Sequence, residues 1–184
     1  YSCIQEVIDI RENISTVEEP VEYELEGINQ VNVRPKAGLT FPAALRSLLR
    51  QDPDTILVGE IRDLETITIA IQAALTGHRV FSTLHTNSAP ETISRILDMG
   101  VEPFLVTSSL LGVLAQRLGR RLCKECREPD YDYTTEELLA FGFSEAQAND
   151  KSYTIYRAVG CDKCGGKGYK GRFAVYEVMP LWEE

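Results

Sequence analysis

Short apolar runs and helical stripes of apolar residues follow one another along much of the chain. Ile56-Leu57-Val58 is too short for a helix of its own and does not alternate with polar residues. Such a run favours a strand that is buried on both faces of a parallel sheet. Val80–Leu84 and the β-rich run Ile14–Val17 predict two further strands. An α/β fold with a mostly parallel sheet flanked by helices is therefore predicted.

Apolar spacing and capping signals predict five helices before, between and after these strands. Helices are predicted over residues 1–10, 41–51, 64–76, 88–99 and 103–122. Thr40, Asp63 and Ser88 are candidate N-caps, because their side-chain oxygens can accept hydrogen bonds from free amides of the first helical turn. An extended segment is predicted over residues 28–33 and a closing strand over residues 172–179.

Chemically active side chains follow three of the predicted strands. Glu18, Glu60 and His85 each lie at or just past the end of one strand. Open α/β sheets bind their ligands at the carboxyl ends of strands. A carboxylate there can hold Mg²⁺ or its water beside a nucleotide phosphate, and a histidine can donate to a phosphate oxygen. Considered one at a time, each of the three also fits a structural role as a helix cap, a solvated loop acid or a packed imidazole.

Four of the five cysteines form two Cys-x-x-Cys pairs, Cys123 with Cys126 and Cys161 with Cys164, separated by 34 residues. Zn²⁺ prefers four tetrahedral ligands, and each pair can supply two thiolates from a tight turn. Structural zinc is therefore predicted. A redox dithiol is disfavoured because neither pair opens a helix in a thioredoxin-like context, and a catalytic zinc would need an open ligand position. The fifth cysteine, Cys3, is predicted to be a small buried apolar residue.

Composition narrows the possible ligands and location. The net charge of −9 argues against nucleic acid as the main ligand. No segment reaches the apolar length that spans a bilayer, and the first residues lack the features of a signal peptide. Paired cysteines fit a reducing cytoplasm.

The last predicted helix ends in a basic segment that contains Arg117, Arg120 and Arg121. These arginines are predicted to stabilise the C-terminal end of that helix, with a subunit contact as the alternative.

Three motifs in order resemble those of the type II secretion and type IV pilus assembly ATPases. Residues 16–22 resemble the aspartate box of that family, residues 49–63 its Walker B signature and residues 76–87 its histidine box. The likeness covers nearly the whole chain, including the four-cysteine element, which the related retraction ATPases lack. The cysteines therefore favour the assembly and export branch. The resemblance implies a RecA-like P-loop NTPase core that uses ATP and Mg²⁺.

The resemblance also implies roles for individual residues. Glu18 corresponds to the proposed base that polarises the attacking water, Glu60 supports Mg²⁺ and its water shell, and His85 senses the γ-phosphate. Position 19 is usually Asp in the family, and Glu19 keeps the charge on a longer side chain. The implied domains are an ATPase core over residues 1–122, a tetracysteine zinc element over 123–171 and a C-terminal strand and tail over 172–184.

The Gly-rich loop ending in Lys-Ser/Thr, whose amides cradle nucleotide phosphates, is missing from the sequence. In the family this Walker A loop directly precedes a sequence like Tyr1-Ser2. The chain is therefore expected to be a fragment that begins after the loop and that hydrolyses ATP negligibly by itself. The intact parent is expected to be active.

The resemblance implies that the parent is a homo-hexameric cytoplasmic motor, recruited peripherally to the inner membrane by a platform protein, without inserting into the bilayer or binding nucleic acid. The sequence does not separate type II secretion from pilus assembly. The main alternative is a non-catalytic, zinc-stapled protein-interaction module, in which the acids are solvated and the histidines structural. A zinc-ribbon nucleic-acid binder is a third possibility, which the charge disfavours.

Overall fold

The computed structural model describes residues 1–9, 11–150 and 154–181. The α-helices are Ser2–Val7 (α1), Phe41–Leu48 (α2), Leu64–Leu75 (α3), Ala89–Asp98 (α4), Pro103–Ser109 (α5), Thr135–Ala140 (α6) and Glu145–Asn149 (α7). The strands are Ile14–Glu18 (β1), Asn29–Asn32 (β2), Thr55–Val58 (β3), Arg79–Ser82 (β4), Gly112–Leu122 (β5), Glu128–Pro129 (β6), Tyr156–Arg157 (β7) and Tyr169–Pro180 (β8). These elements divide into two compact units, residues 1–115 with 177–184 and residues 116–176.

A four-stranded parallel sheet in the order β2-β1-β3-β4 forms the centre of the first unit. All five residues of β1 are buried, whereas the edge strands β2 and β4 are partly exposed. Val17 pairs in register with Val31 on one side and Val58 on the other. The predicted parallel α/β fold is therefore confirmed, because the apolar runs do form the buried central strands.

Side-chain caps fix where the helices of this unit begin. The Thr40 hydroxyl accepts from the amide of Ala43 at 3.4 Å, and the Ser88 hydroxyl accepts from that of Glu91 at 3.3 Å. Asp63 accepts from the amide of Thr66 at 2.8 Å. Each bond satisfies one of the amides that a helix N-terminus leaves free, so the three predicted caps are confirmed.

Two apolar clusters pack against the sheet. The larger cluster joins α2, α3, α4 and α5 to β3, through Leu45, Ile56, Val58, Ile61, Ile67, Ile69, Ala70, Ile71, Ala73, Ile96, Val101 and Val106. The smaller one joins α2 to β1 through Val17, Val33, Ala44 and Leu48. Full burial of one such aliphatic side chain contributes about 1.5–3 kcal/mol, so these clusters hold the strand ends in fixed positions.

The predicted helix over residues 103–122 is wrong. Helix α5 ends at Ser109, and residues from Gly112 form strand β5, which pairs with β8. A side chain at Gly119 would place its Cβ only 2.6 Å from the Phe173 ring, so the glycine makes room for the partner strand. The pairing of β5 with a strand from the end of the chain overrides the local apolar pattern.

Because residues from Gly112 form a strand instead of a helix, the surroundings of several residues differ from those predicted. Arg120 stabilises no helix end, and instead its guanidinium carbon lies 4.0 Å from the centre of the Tyr169 ring. Phe104, Leu111 and Leu114, apolar residues within the predicted helix, are exposed. For Leu114 on β5 this exposure follows from the two-stranded ribbon, since each strand has only one neighbour to cover it.

Helix α1 is shorter than predicted and buries Ile4 as its one buried residue. Cys3 points away from that contact and is exposed, so its predicted burial is wrong. The end of the predicted helix at residue 10 lies outside the described residues. Across the described ranges, every helix is too short or too polar to cross a membrane.

The second unit contains several short elements between strands β5 and β8. Strands β6 and β7 pair antiparallel, and Glu128 faces Arg157 in that pair. Helices α6 and α7 each begin with a capping box, Thr134 with Glu137 and Ser144 with Gln147. The cysteine element predicted over residues 123–171 lies within this unit.

Candidate functional site

The three site residues predicted from the sequence follow neighbouring strands of one sheet. Glu18 is the last residue of β1, Glu60 follows β3 by two residues, and His85 follows β4 by three. Strands β1, β3 and β4 are adjacent and parallel, so their carboxyl ends lie on the same edge. The structure thus brings all three residues to one edge of the sheet.

Glu60 and His85 are in direct contact. The Nε2 atom of His85 lies 3.3 Å from Oε2 of Glu60, and the Nε atom of Arg62 donates to the same oxygen at 2.7 Å. The Glu60 side chain is only 14% exposed, whereas the His85 side chain is 82% exposed. The carboxylate is therefore held in place, with Oε1 left for another ligand.

Hydrogen bonds between loops position these side chains. The Gly59 amide donates to the Val17 carbonyl at 2.8 Å, and the Ile61 amide donates to the Thr83 carbonyl at 3.0 Å. The Thr83 hydroxyl donates to the Gly59 carbonyl at 2.6 Å. A Cβ at Gly59 would lie 3.1 Å from the Val17 carbonyl oxygen, which explains why this position has no side chain.

His78, at the other end of the histidine box, has a structural role. The Nδ1 atom of His78 lies 2.9 Å from the Ala73 carbonyl and 3.2 Å from the Thr76 hydroxyl oxygen. It therefore completes the C-terminal end of α3, where carbonyls lack helical partners. The loop that follows β4 is also held beyond His85, because the Glu177 carboxylate accepts a hydrogen bond from the amide of Ala89 at 2.6 Å.

Glu18 is a buried carboxylate with three donors. The residue is 4% exposed. Its Oε1 accepts from the Thr16 hydroxyl and, at 3.2 Å, from Nε2 of Gln30, and its Oε2 accepts from the Tyr1 hydroxyl. Burial, followed by the hydrogen bond to Glu18, raises the pKa of Tyr1. Glu18 is therefore not a solvated loop acid.

Glu19 lies on the other side of the chain from Glu18. It lines a cavity of about 200 Å³ together with Glu60, Arg62 and Asp63. Sequence reasoning had assigned no role to Arg62 or to the donors of Glu18. The two-residue period of a strand was the available signal, since it separates Glu18 from Glu19 and puts Thr16 on the face of Glu18. A larger cavity of about 790 Å³ lies between α2 and α3 and contains none of the site residues.

The four paired cysteines form a cluster in the second unit. Their sulfur atoms all lie within 4.8 Å of one another, with 4.0 Å between Cys123 and Cys161 and 3.8 Å between Cys126 and Cys164. Four thiolates bound 2.3 Å from a tetrahedral Zn²⁺ are about 3.8 Å apart. The separations are far longer than a disulfide bond of about 2.05 Å. The donor set therefore fits structural zinc.

Backbone amides distinguish the thiols of this cluster. The amides of Cys161 and Gly168 each donate to the Cys164 sulfur at 3.2 Å. These bonds, the one from Cys161 most strongly, lower the pKa of Cys164 to about 6. Removal from water raises the pKa of Cys126 to about 12. A bound cation would favour the thiolate form of all four ligands.

The parallel sheet and its edge define the class of protein. The chain is similar to the solved structure of the pilus retraction motor PilT with bound ADP, at a TM-score of 0.56 and 41% identity, over 61% of this chain and 36% of that one. The family described as type II/IV secretion system protein matches residues 1–184. The chain belongs to this family.

Two relatives match almost the whole chain, including the cysteine element. The chain is 52% identical over 183 residues to the type IV pilus assembly ATPase PilB of Myxococcus xanthus, covering 100% of this chain and 32% of that protein. It is 51% identical over 179 residues to the type II secretion system ATPase E of Vibrio cholerae, covering 97% and 35%. The chain thus spans about a third of these relatives. The resemblance stated from the motifs is confirmed.

Proposed function

We propose that the chain is part of an ATP-hydrolysing motor subunit that powers type II protein secretion or type IV pilus assembly. Membership of the family and the names of the two relatives support this proposal. The observation that carries it is the convergence of Glu18, Glu60 and His85 at the carboxyl edge of one parallel sheet. Nucleotides bind at such edges in open α/β folds.

The roles of the residues follow from their surroundings. Glu60 would hold the water shell of Mg²⁺ through the carboxylate oxygen that Arg62 leaves free. His85 is exposed and can turn toward a terminal phosphate, whereas Glu18 is fixed and orients the attacking water. When bound, Mg²⁺ supplies positive charge that stabilises the transferred phosphoryl group.

The tetracysteine cluster has a structural role in this proposal. Cys123, Cys126, Cys161 and Cys164 would hold a zinc ion, which would cross-link the unit rather than take part in catalysis, because the four thiolates fill its ligand positions. The parent works as a cytoplasmic homo-hexamer recruited to an inner-membrane platform protein. Both the subunit number and the platform come from the resemblance to the secretion and pilus ATPases.

Substitution of Glu60 tests the catalytic part of the proposal. In the intact protein, Glu60→Gln should reduce phosphate release from ATP by at least about a hundredfold, because it removes the negative charge that would hold Mg²⁺ and its water shell. The melting temperature should stay unchanged, since the amide keeps the size of the side chain. Glu65→Gln is the matched control, as Glu65 is an exposed glutamate on α3 that pairs with Arg46.

Two results would contradict the proposal. Normal turnover by Glu60→Gln would remove the metal role, and unfolding by the same change would make Glu60 a structural residue. Residues 1–184 alone should release no more phosphate than their own Glu60→Gln variant, because they contain no Gly-rich phosphate-binding motif. The convergence of the three residues speaks against the alternative of a non-catalytic zinc-stapled interaction module.

A further inference from the structure

We propose that Tyr1, Thr16 and Gln30 are positioning residues that fix the Glu18 carboxylate and leave one of its acceptor sites, on Oε2, for a water molecule. This inference rests on the proposed function, in which Glu18 orients the attacking water. It gives a positioning role to three residues that the sequence motifs do not identify as functional, and it specifies which oxygen of Glu18 faces the water.

The count of acceptor sites carries the argument. An ionised carboxylate offers about four lone-pair sites, two on each oxygen. Oε1 of Glu18 accepts from both the Thr16 hydroxyl and Nε2 of Gln30, so its two sites are filled. Oε2 accepts from the Tyr1 hydroxyl, which fills one more. A single site therefore remains, and its direction is set by the three bonds already made.

Strand register places two of the donors. Thr16 precedes Glu18 by two residues on β1, so both side chains project from the same face of the strand. Its β-branched side chain is fully buried and has few rotamers. Gln30 on β2 is the in-register partner of Thr16. The Gln30 amide is held at its other end, because its Oε1 accepts from the amide of Leu25 at 2.6 Å.

Tyr1 brings the third donor from outside the sheet. Its hydroxyl donates to Glu18 and accepts from the amide of Glu22 at 3.2 Å. Its ring packs against Tyr23 with 4.5 Å between the ring centres. One side chain thus joins the start of α1, the end of β1 and the loop after it.

Immobilising the carboxylate has a direct effect on rate. A group that orients a reactant must hold its position closely, because a displacement of about 1 Å can cost about a hundredfold in rate. A buried glutamate with a single donor could rotate about its terminal bond, whereas one held through both oxygens cannot. The donors also offset the cost of burying the charge of Glu18. Loss of one donor should therefore lower kcat more than it changes nucleotide binding.

Variants of the intact protein test the inference by steady-state phosphate release measured over a range of ATP concentrations. Tyr1→Phe and Thr16→Val should each lower kcat by roughly ten- to a hundredfold while the KM for ATP changes less than about twofold. Thr16→Ser should restore most of the rate, because it restores the hydroxyl. Tyr23→Phe is the matched control, since it removes a phenolic hydroxyl from the ring beside Tyr1 and should turn over normally.

A double-mutant cycle shows whether Tyr1 acts through Glu18. If it does, adding Tyr1→Phe to Glu18→Gln should cause no further loss, because the carboxylate to be positioned is already gone. Full additivity of the two losses would overturn the inference. Equal rates for Thr16→Val and Thr16→Ser would also overturn it, and this pair decides the matter if Tyr1→Phe lowers the melting temperature.

The outcomes also separate this inference from the proposed function. Normal turnover by Glu18→Gln would refute the catalytic role of Glu18 and with it the inference. Loss of turnover in Glu18→Gln, together with wild-type kcat in Tyr1→Phe and Thr16→Val, would leave the function standing and refute only the positioning role.

Discussion

Removal of metal from the cysteine cluster should unfold the second unit and spare the first. The unit contains 61 residues, and among those described in it Leu138 is the one buried apolar side chain besides the candidate ligand Cys123. Its burial contributes about 1.5–3 kcal/mol. Structural zinc bound by small domains contributes about 10–16 kcal/mol. A zinc ion bound by the four cysteines would therefore be the dominant stabilising interaction of this unit.

Hydrogen exchange followed by mass spectrometry can measure the effect in the intact protein. Treatment with a chelator, or the change Cys164→Ser, should remove amide protection from residues 116–176 and leave that of β1, β3 and α3 unchanged. Metal analysis should give one zinc per chain before treatment. Cys3→Ser is the matched control, because Cys3 is exposed and lies outside the cluster. Protection that survives chelation would refute the reasoning.

Two further substitutions test the elements that position the site. Asp63→Ala should lower the free energy of unfolding by about 1–2 kcal/mol in denaturant titrations, because the α3 cap and the partner of the buried Thr66 hydroxyl are both lost. Asp63→Asn should retain most of that stability, and equal losses in the two variants would contradict the capping role. Gly59→Val should reduce ATP turnover of the intact protein more than Gly59→Ala. A Cβ at position 59 would lie 3.1 Å from the Val17 carbonyl oxygen, and the branched valine side chain adds further bulk. Normal turnover by both variants would show that the loop tolerates side chains.

Local signals were sufficient to predict most of the first unit. The run at residues 56–58 forms a buried strand, and Thr40, Asp63 and Ser88 cap helices, because each feature depends on neighbours in the sequence. The helix predicted over 103–122 failed for the opposite reason. Strand β5 is stabilised by β8, about fifty residues further along the chain, and no local pattern reports that pairing.

The site was predictable to the same extent. The rule that ligands bind at strand ends marked Glu18, Glu60 and His85 as candidates, and the resemblance to the secretion and pilus ATPases assigned their roles. The donors around Glu18 were not predictable, because the Gln30 contact depends on the register of β1 with β2 and the Tyr1 contact on where α1 packs. Thr16 alone could have been found, from its spacing of two residues.

The contact between Glu60 and His85 joins a side chain that its neighbours hold in place to one that is largely exposed to solvent. The Glu60 carboxylate is only 14% exposed and keeps its place through Arg62, while the His85 imidazole is largely in solvent and attached by one contact of 3.3 Å. Turning the imidazole away from Glu60 breaks that one contact. Under the proposed function, a phosphate bound beside the pair would therefore have to displace only the imidazole, at small energetic cost, while Glu60 keeps its position.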